Sequence, residues 1–262
     1  MFTVNKSCIL QAFLRKQTDL SGKAIKRALE QGACRVNGVI ERFANTPLQK
    51  GDKVSFKLPS ENPQESMEIL YEDSELVIYN KPSGMTTQGK YLVHRLDKGT
   101  SGVLLVAKNG PIQKKLEDLF KKREIKKTYI ALVKGSLRKE QGMIENKLGK
   151  VGEFQGQTLY GSHPQGLTAT THWKCLQKGK GVSLVELVPH TGRTHQLRVH
   201  LSEMGHPILG DLQYGREVVF PEEVHRLCLH AYRLSFLHPK TGKRIQATAP
   251  VPLLFKGFFN NL

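Results

Sequence analysis

The chain has 262 residues and a formal net charge of +17, from 40 Lys+Arg against 23 Asp+Glu. That length suits one medium domain with a small companion, and that charge suits a polyanionic partner. An anionic membrane surface would also attract it, but no apolar run is long enough to span a bilayer and Met1 opens no secretory signal pattern. Cys8, Cys34, Cys175 and Cys228 are scattered, without a Cys-x-x-Cys pair. This argues against a disulfide framework or zinc site and for a reducing, cytoplasmic setting. His190, His195 and His200 recur every fifth residue, a spacing that does not stack side chains on one helix face, so no metal is expected.

The first segment predicts two short helices. Ile9, Leu10, Phe13 and Leu14 fall at helical spacing within Ser7 to Gln17. Ser21 suits an N-cap for a second helix that carries Ile25, Ala28 and Leu29 on one face and reaches Gly32. Cys34-Arg35-Val36, Asn37-Gly38 and Val39-Ile40 spell a hairpin, and Lys53 to Leu58 alternates as a strand after Gly51-Asp52. Residues 1–60 hold 11 basic and 4 acidic side chains, so positive charge is concentrated there. Two short helices, a Val-Asn-Gly turn and Gly-Asp-x-Val on a strand resemble the alpha-L RNA-binding domain named for a ribosomal small-subunit protein. The resemblance implies phosphate contacts from Lys23, Lys26, Arg27 and Arg35; the plainer alternative is a solvated basic face. The polar, Pro-containing residues 61–66 suit a linker to a domain at 67–262.

In that second part, Ile69 to Tyr71 and Leu76 to Tyr79 flank a turn and predict paired strands, ending in the loop Asn80-Lys81-Pro82-Ser83-Gly84. His94-Arg95-Leu96-Asp97-Lys98-Gly99-Thr100-Ser101-Gly102 then places an acid between cations on a polar loop, before an apolar strand reaching Lys108. A carboxylate near backbone amides and Arg95 is readily held ionised, and an ionised, positioned carboxylate can act as a nucleophile. An Asp that merely caps the turn is the alternative. Asn109 and Pro111 open a helix whose Ile112, Leu116, Leu119 and Phe120 face a core. Lys127 to Gly135, Gly142 to Gly149, Leu167 to Leu176 and Val182 to Val188 predict strands, with a Gly-rich loop from Gly149 to Gly166. Leu197, Leu201 and Met204 mark a helix face that Gly205 terminates, and Leu227 to Leu237 with Arg244 to Ala249 make a last hairpin. Strands in successive short-turn pairs with few helices argue for an α+β fold, a mixed, mostly antiparallel sheet with helices packed on it.

Four segments together resemble the RluA-type RNA pseudouridine synthases: Tyr71 to Gly84, the stretch His94 to Gly102, Lys127 to Gly135 and Gly192 to Asp211. The resemblance makes Asp97 the catalytic aspartate, Tyr129 the aromatic that stacks on the target base, and Arg198 the cation paired with Asp97. It puts Arg95 in the space a flipped base vacates. Lys81 and Pro82 shape the floor of the cleft, in contact with substrate or as structure only. Uridine to pseudouridine is an isomerisation, so no cofactor is expected, and the base must leave its stack first. Whether Asp97 acts on ribose or base stays open. The expected substrate is structured RNA, with large-subunit ribosomal RNA preferred over transfer RNA, and the expected state is a monomer. Two other classes are a glycoside hydrolase, which commonly needs a second carboxyl, and a catalytically silent RNA-binding assembly factor. Of the two acids in the matched segments, Asp97 and Asp211, only Asp97 is expected among the catalytic groups.

Overall fold

The computed structural model describes residues 1–30, 32–57, 67–216 and 218–259, without the side chains of Arg27 and Glu30. The chain falls into two units, Met1–Ser66 and Met67–Leu262. Residues 61–66, expected as a linker, lie outside the described residues.

The first unit runs β1 (Phe2–Thr3), β2 (Cys8–Ile9), α1 (Leu10–Gln17), α2 (Gly22–Glu30), β3 (Cys34–Val36), β4 (Val39–Glu41), β5 (Pro47–Leu48) and β6 (Lys53–Phe56). Its main sheet has the order β1-β6-β3-β4, with β2 and β5 as a separate pair. Leu10, Phe13, Leu14, Ile25 and Leu29 bring the helix faces onto Val4, Cys34, Leu48 and Val54. Ser21 caps α2 as expected, accepting from the Ala24 amide at 3.2 Å. The first helix is shorter than its periodicity suggested. Ile9 is extended, belongs to β2 opposite Pro47, and is 45% exposed, because pairing with β5 claims the backbone ahead of the helix. At the β3–β4 turn Asn37 and Gly38 have φ of 53° and 85°, the two left-handed residues that a type I′ hairpin requires.

The second unit continues with β7 (Glu68–Glu72), β8 (Leu76–Lys81), β9 (Ser101–Ala107), α3 (Gly110–Lys121), β10 (Lys126–Lys134), β11 (Gln141–Phe154) and β12 (Gln157–Ser162). It closes with β13 (Leu167–Lys178), β14 (Val182–Pro189), α4 (Gln196–Glu203), β15 (Leu229–Leu237), β16 (Arg244–Thr248) and α5 (Leu253–Lys256). The sheet order is β12-β11-β13-β14-β10-β15-β9-β8-β7, with β16 beside β15. Among the described residues, β9 with β15 is the one parallel pairing, so the sheet is mixed and mostly antiparallel. Asn109 caps α3 by accepting from the Ile112 amide at 3.0 Å, and Ile112 and Leu116 are buried against Leu76, Ile78, Val103 and Leu105. A second core gathers Leu132, Val185, Leu187, Leu201, Ile208 and Trp173 under α4.

The Gly149 to Gly166 stretch is not a loop. β11 runs on to Phe154, and Gln155 and Gly156, at φ of 48° and 76°, turn it into β12. Its glycines removed the side-chain alternation that marks a strand, and Gln is an uncommon first residue for such a turn.

The parallel seam positions the loop that carries Asp97. His230 and Ala231 on β15 pair with Ser101 and Gly102 on β9, and Ala231 pairs on its other side with Tyr129 on β10. Gly102 has φ 107°, and a Cβ there would sit 2.2 Å from the Ala231 carbonyl oxygen. No L side chain fits both constraints. Gly102→Ala should therefore destabilise the second unit by about 3 kcal/mol or more. Denaturant unfolding checks this, and an unchanged midpoint and slope would contradict the close approach.

Candidate active site

The segment before β9 is held from behind by the loop after β8. Thr87 Oγ1 donates to the Leu96 carbonyl at 2.9 Å and accepts from the Leu96 amide at 3.3 Å. Ser83 Oγ donates to Gly99 O at 2.6 Å, and the Gly84 amide to Lys98 O at 2.7 Å. Lys81, fully buried, directs its ammonium at the carbonyls of Pro82 (2.9 Å), Met85 (2.6 Å) and Lys98 (3.3 Å). Lys81 and Pro82 were expected to meet substrate or to form the floor; the structure encloses the Lys81 ammonium among backbone carbonyls and leaves Pro82 half-buried. Burial pulls the Lys81 pKa down to about 8, with Asp97 opposing and Arg226 adding to the fall. Upstream, His94 accepts from the Leu105 amide at 3.0 Å and stacks near Phe120. Burial, helped by Lys127, lowers its pKa to about 3, so it is a neutral brace.

Asp97 emerges from this clamp with its side chain 32% exposed. Arg198, on the first turn of α4, brings Nη1 to 3.5 Å from Asp97 Oδ2. The stronger partner of Arg198 is Asp211. Nε and Nη2 reach the two Asp211 oxygens at 2.7 and 2.8 Å, and Nη2 also donates to Gln213 Oε1 at 3.0 Å. Asp211 has no exposed side-chain area and accepts further from the Gln213 and Tyr214 amides. Two parallel hydrogen bonds between a planar guanidinium and a carboxylate fix orientation as well as charge. Burial disfavours the Arg198 cation, yet hydrogen bonding and charge from Asp211, with Asp97 behind, hold its pKa above the ordinary value. The expected pairing with Asp97 is thus present but secondary. Asp211, set apart from the catalytic groups on sequence grounds, is the residue that aims Arg198; no local pattern announces that, since the two meet only when the loop after α4 folds back.

Tyr129 lies half-buried with Leu96, Leu104 and Ala231, on the same side of the sheet as the Asp97 segment. Burial, reinforced by the Asp97 carboxylate, raises the phenol pKa above its ordinary value, so Tyr129 is a neutral phenol. Arg95 is exposed and Leu96 between it and Asp97 is buried. Two groups not expected here complete the cleft: His195, with Nε2 3.9 Å from Asp97 Oδ2, and Tyr214, whose ring lies 4.9 Å from the Arg198 guanidinium. In the other unit Lys23 and Lys26 are exposed on α2, and Arg35 donates to Gly38 O at 2.9 Å across its own hairpin. The side chain of Arg27 lies outside the described residues.

Residues 90–203, which include Asp97, Tyr129 and Arg198, match the family model described as RNA pseudouridylate synthase. An uncharacterized RNA pseudouridine synthase of Synechocystis is 31% identical over 91% of this chain and 84% of its own length. The chain belongs to the RNA pseudouridylate synthase family. It is an isomerase that converts uridine to pseudouridine in RNA. The ribosomal large subunit pseudouridine synthase D of Vibrio cholerae is 30% identical over 92% of this chain and 87% of its own length. Synthase C of Buchnera aphidicola is 36% identical over 74% and 70%. Among solved structures, human RNA pseudouridylate synthase domain containing 1 superposes with a TM-score of 0.61 at 30% identity, covering 73% of this chain and 86% of the other.

In this synthase, Asp211→Asn should loosen Arg198 without touching Asp97. The buried cation would lose its counter-charge, so stability should fall by about 3 kcal/mol. Pseudouridine formation under single-turnover conditions should fall by about a hundred-fold or more. Thermal melts and nucleoside analysis read the two effects, and wild-type turnover in the folded variant would show that Arg198 does not depend on Asp211.

Proposed function

We propose that this enzyme isomerises a uridine in structured large-subunit ribosomal RNA, with Asp97, Tyr129 and Arg198 as its catalytic groups. One observation carries the assignment of roles. Arg198 is clamped by Asp211 through Nε and Nη2, which leaves Nη1 directed at a partly exposed Asp97 beside a neutral Tyr129. The names of the related ribosomal large subunit synthases support the choice of RNA. Four free thiols, three of them buried, fit a cytoplasmic enzyme.

The sequence of events follows from the chemistry. Uridine must leave its stack, at a cost of a few kcal/mol that is smaller in a loop than in a duplex. Arg95, exposed next to the Asp97 segment, is placed to fill the vacated space. Asp97 then acts on the nucleotide while Arg198 holds it as a carboxylate in a cleft that RNA closes against water. The bond between ribose and the uracil ring nitrogen breaks, the base turns against the Tyr129 ring, and a ring carbon bonds to the same ribose carbon; the proton on that ring carbon is given up and the freed nitrogen takes one on. As a neutral phenol, Tyr129 can hold the free base by stacking and can donate a hydrogen bond to it, but it does not start as a phenolate base. Nothing is added or lost, so substrate and product have the same mass.

Residues 1–60 supply the second element, an alpha-L type RNA-binding domain. Lys23 and Lys26 are exposed on one short helix, and clustered cations on an exposed element are what phosphate contacts require.

Asp97→Asn should abolish isomerisation and leave RNA affinity nearly unchanged, since one neutral amide replaces one charge in a large interface. Filter binding beside nucleoside analysis of uridine-labelled RNA tests this. Product at the wild-type rate would end the assignment, and a product heavier by one water would make the enzyme a hydrolase instead. Removing residues 1–60 should weaken binding and flatten the slope of log affinity against log salt by roughly 0.7 to 0.9 for each phosphate no longer gripped. Single-turnover rates at saturating RNA should change far less. An unchanged slope would show that this unit does not grip RNA.

A further inference from the structure

His195 is in a setting that folding alone does not explain. It is the N-cap of α4, a position where Ser, Thr, Asp or Asn would satisfy a helix amide, yet its side chain makes no capping hydrogen bond. Its φ is 56°, in the left-handed region that costs a non-glycine residue strain. The ring is directed instead into the cleft. Tyr160 from β12 and Tyr214 from the loop after α4 pack against it edge-on, at centroid distances of 5.7 and 5.5 Å.

The hydrogen bonds fix which nitrogen carries the proton. The Tyr160 amide donates to Tyr214 Oη at 3.1 Å, and Tyr214 Oη lies 2.8 Å from His195 Nδ1. A phenol oxygen that accepts from an amide still has its own proton to donate, and we assign that donation to Nδ1. Nδ1 is therefore the acceptor and Nε2 bears the hydrogen. Burial and the Arg198 cation lower the His195 pKa, against the opposing charges of Asp97 and Asp211, so the imidazole is neutral near pH 7. Its Nε2–H faces Asp97 Oδ2 across 3.9 Å, the same oxygen that Arg198 Nη1 approaches. Among the described residues, both contacts to this carboxylate fall on Oδ2.

We propose that His195 is a positioning residue for the isomerisation: its neutral imidazole, with the proton set on Nε2 by Tyr214, donates to Asp97 Oδ2 once RNA closes the cleft, and so presents Oδ1 to the nucleotide. The proposal rests on Asp97 being the reacting carboxylate. It requires an approach of only about 1 Å to reach hydrogen-bond distance. Arg198 supplies charge to Oδ2 from one side and His195 a directional donor from the other, so the carboxylate loses its freedom to rotate.

Three variants of the full chain test it: His195→Asn, His195→Gln and Tyr214→Phe, each assayed with a uridine-labelled ribosomal RNA fragment. Asn tolerates the left-handed backbone but its amide is too short to reach Oδ2, whereas the Gln amide reaches as far as Nε2. His195→Asn should lower the single-turnover rate by roughly ten- to a hundred-fold with RNA affinity unchanged. It should also move the acidic limb of the single-turnover rate at saturating RNA to higher pH, because a carboxylate that loses a donor to its ionised form in the closed complex takes up a proton more readily. His195→Gln should recover part of the rate and of the limb, and Tyr214→Phe should show a smaller loss of the same kind. A wild-type rate and limb in His195→Asn would overturn the proposal. So would equal impairment of the Asn and Gln variants with an unmoved limb and a lowered melting temperature, the pattern of a merely structural residue. Asp97→Asn run alongside keeps the two questions apart: if that variant stays active, the site itself is misassigned, whatever His195 does.

Discussion

A guanidinium with only 11% of its side chain exposed needs an anion close by, and Arg198 finds it in Asp211, which has no exposure at all. Burying two charges costs several kcal/mol each, and good geometry with extra hydrogen bonds is what offsets it. Here the geometry is bidentate, and Gln213 and two backbone amides take the remaining capacity. The consequence is functional. A guanidinium held along one edge has its third nitrogen fixed in direction, and that nitrogen faces Asp97. The pair also explains why the loop after α4 folds back as it does: Tyr214 comes with Asp211, covers the Arg198 plane and reaches His195.

The same logic governs the other side of the cleft. Asp97 sits on a segment with no regular secondary structure of its own, yet Lys81, Ser83, Gly84 and Thr87 all bond to its backbone. Lys81 directs its ammonium at backbone carbonyls, and burial is what lowers its pKa. Gly102 then lets β9 lie against β15 at a distance no other residue permits. A loop braced by Lys81, Ser83 and Thr87, an arginine clamped by Asp211 and a half-buried tyrosine on β10 come together at one cleft. Preorganisation of this kind places the energetic cost in folding and spares the reaction step.

The first unit is built differently. Its core is small and conventional, and its exposed cations are held on α2 rather than in a cleft. A sequence-independent grip on phosphates needs clustered charge more than precise geometry. Under the function proposed above, a carboxylate that meets one atom of one nucleotide needs the reverse, and the two units divide those demands between them.

Local sequence determined much of this. Asn37-Gly38 specified its hairpin because both residues tolerate positive φ, Ser21 and Asn109 specified helix starts because their oxygens reach the next free amide, and the aliphatic run after Gly102 specified a buried strand. The segments around Asp97, Tyr129 and Arg198 also carried the family and its chemistry. Each of these signals is written in residues a few positions apart. Tertiary structure decided the rest. Ile9 left its helix because a strand far along the chain claimed its backbone. The Gly149 to Gly166 stretch became a hairpin because its own return, β12, pairs with the end of β11 and supplies the order its glycines do not announce. Lys81 proved a support, Asp211 the anchor of Arg198, and His195 a neighbour of Asp97, since burial and bidentate pairing are properties of atoms brought together by the fold, and no spacing along the chain records them.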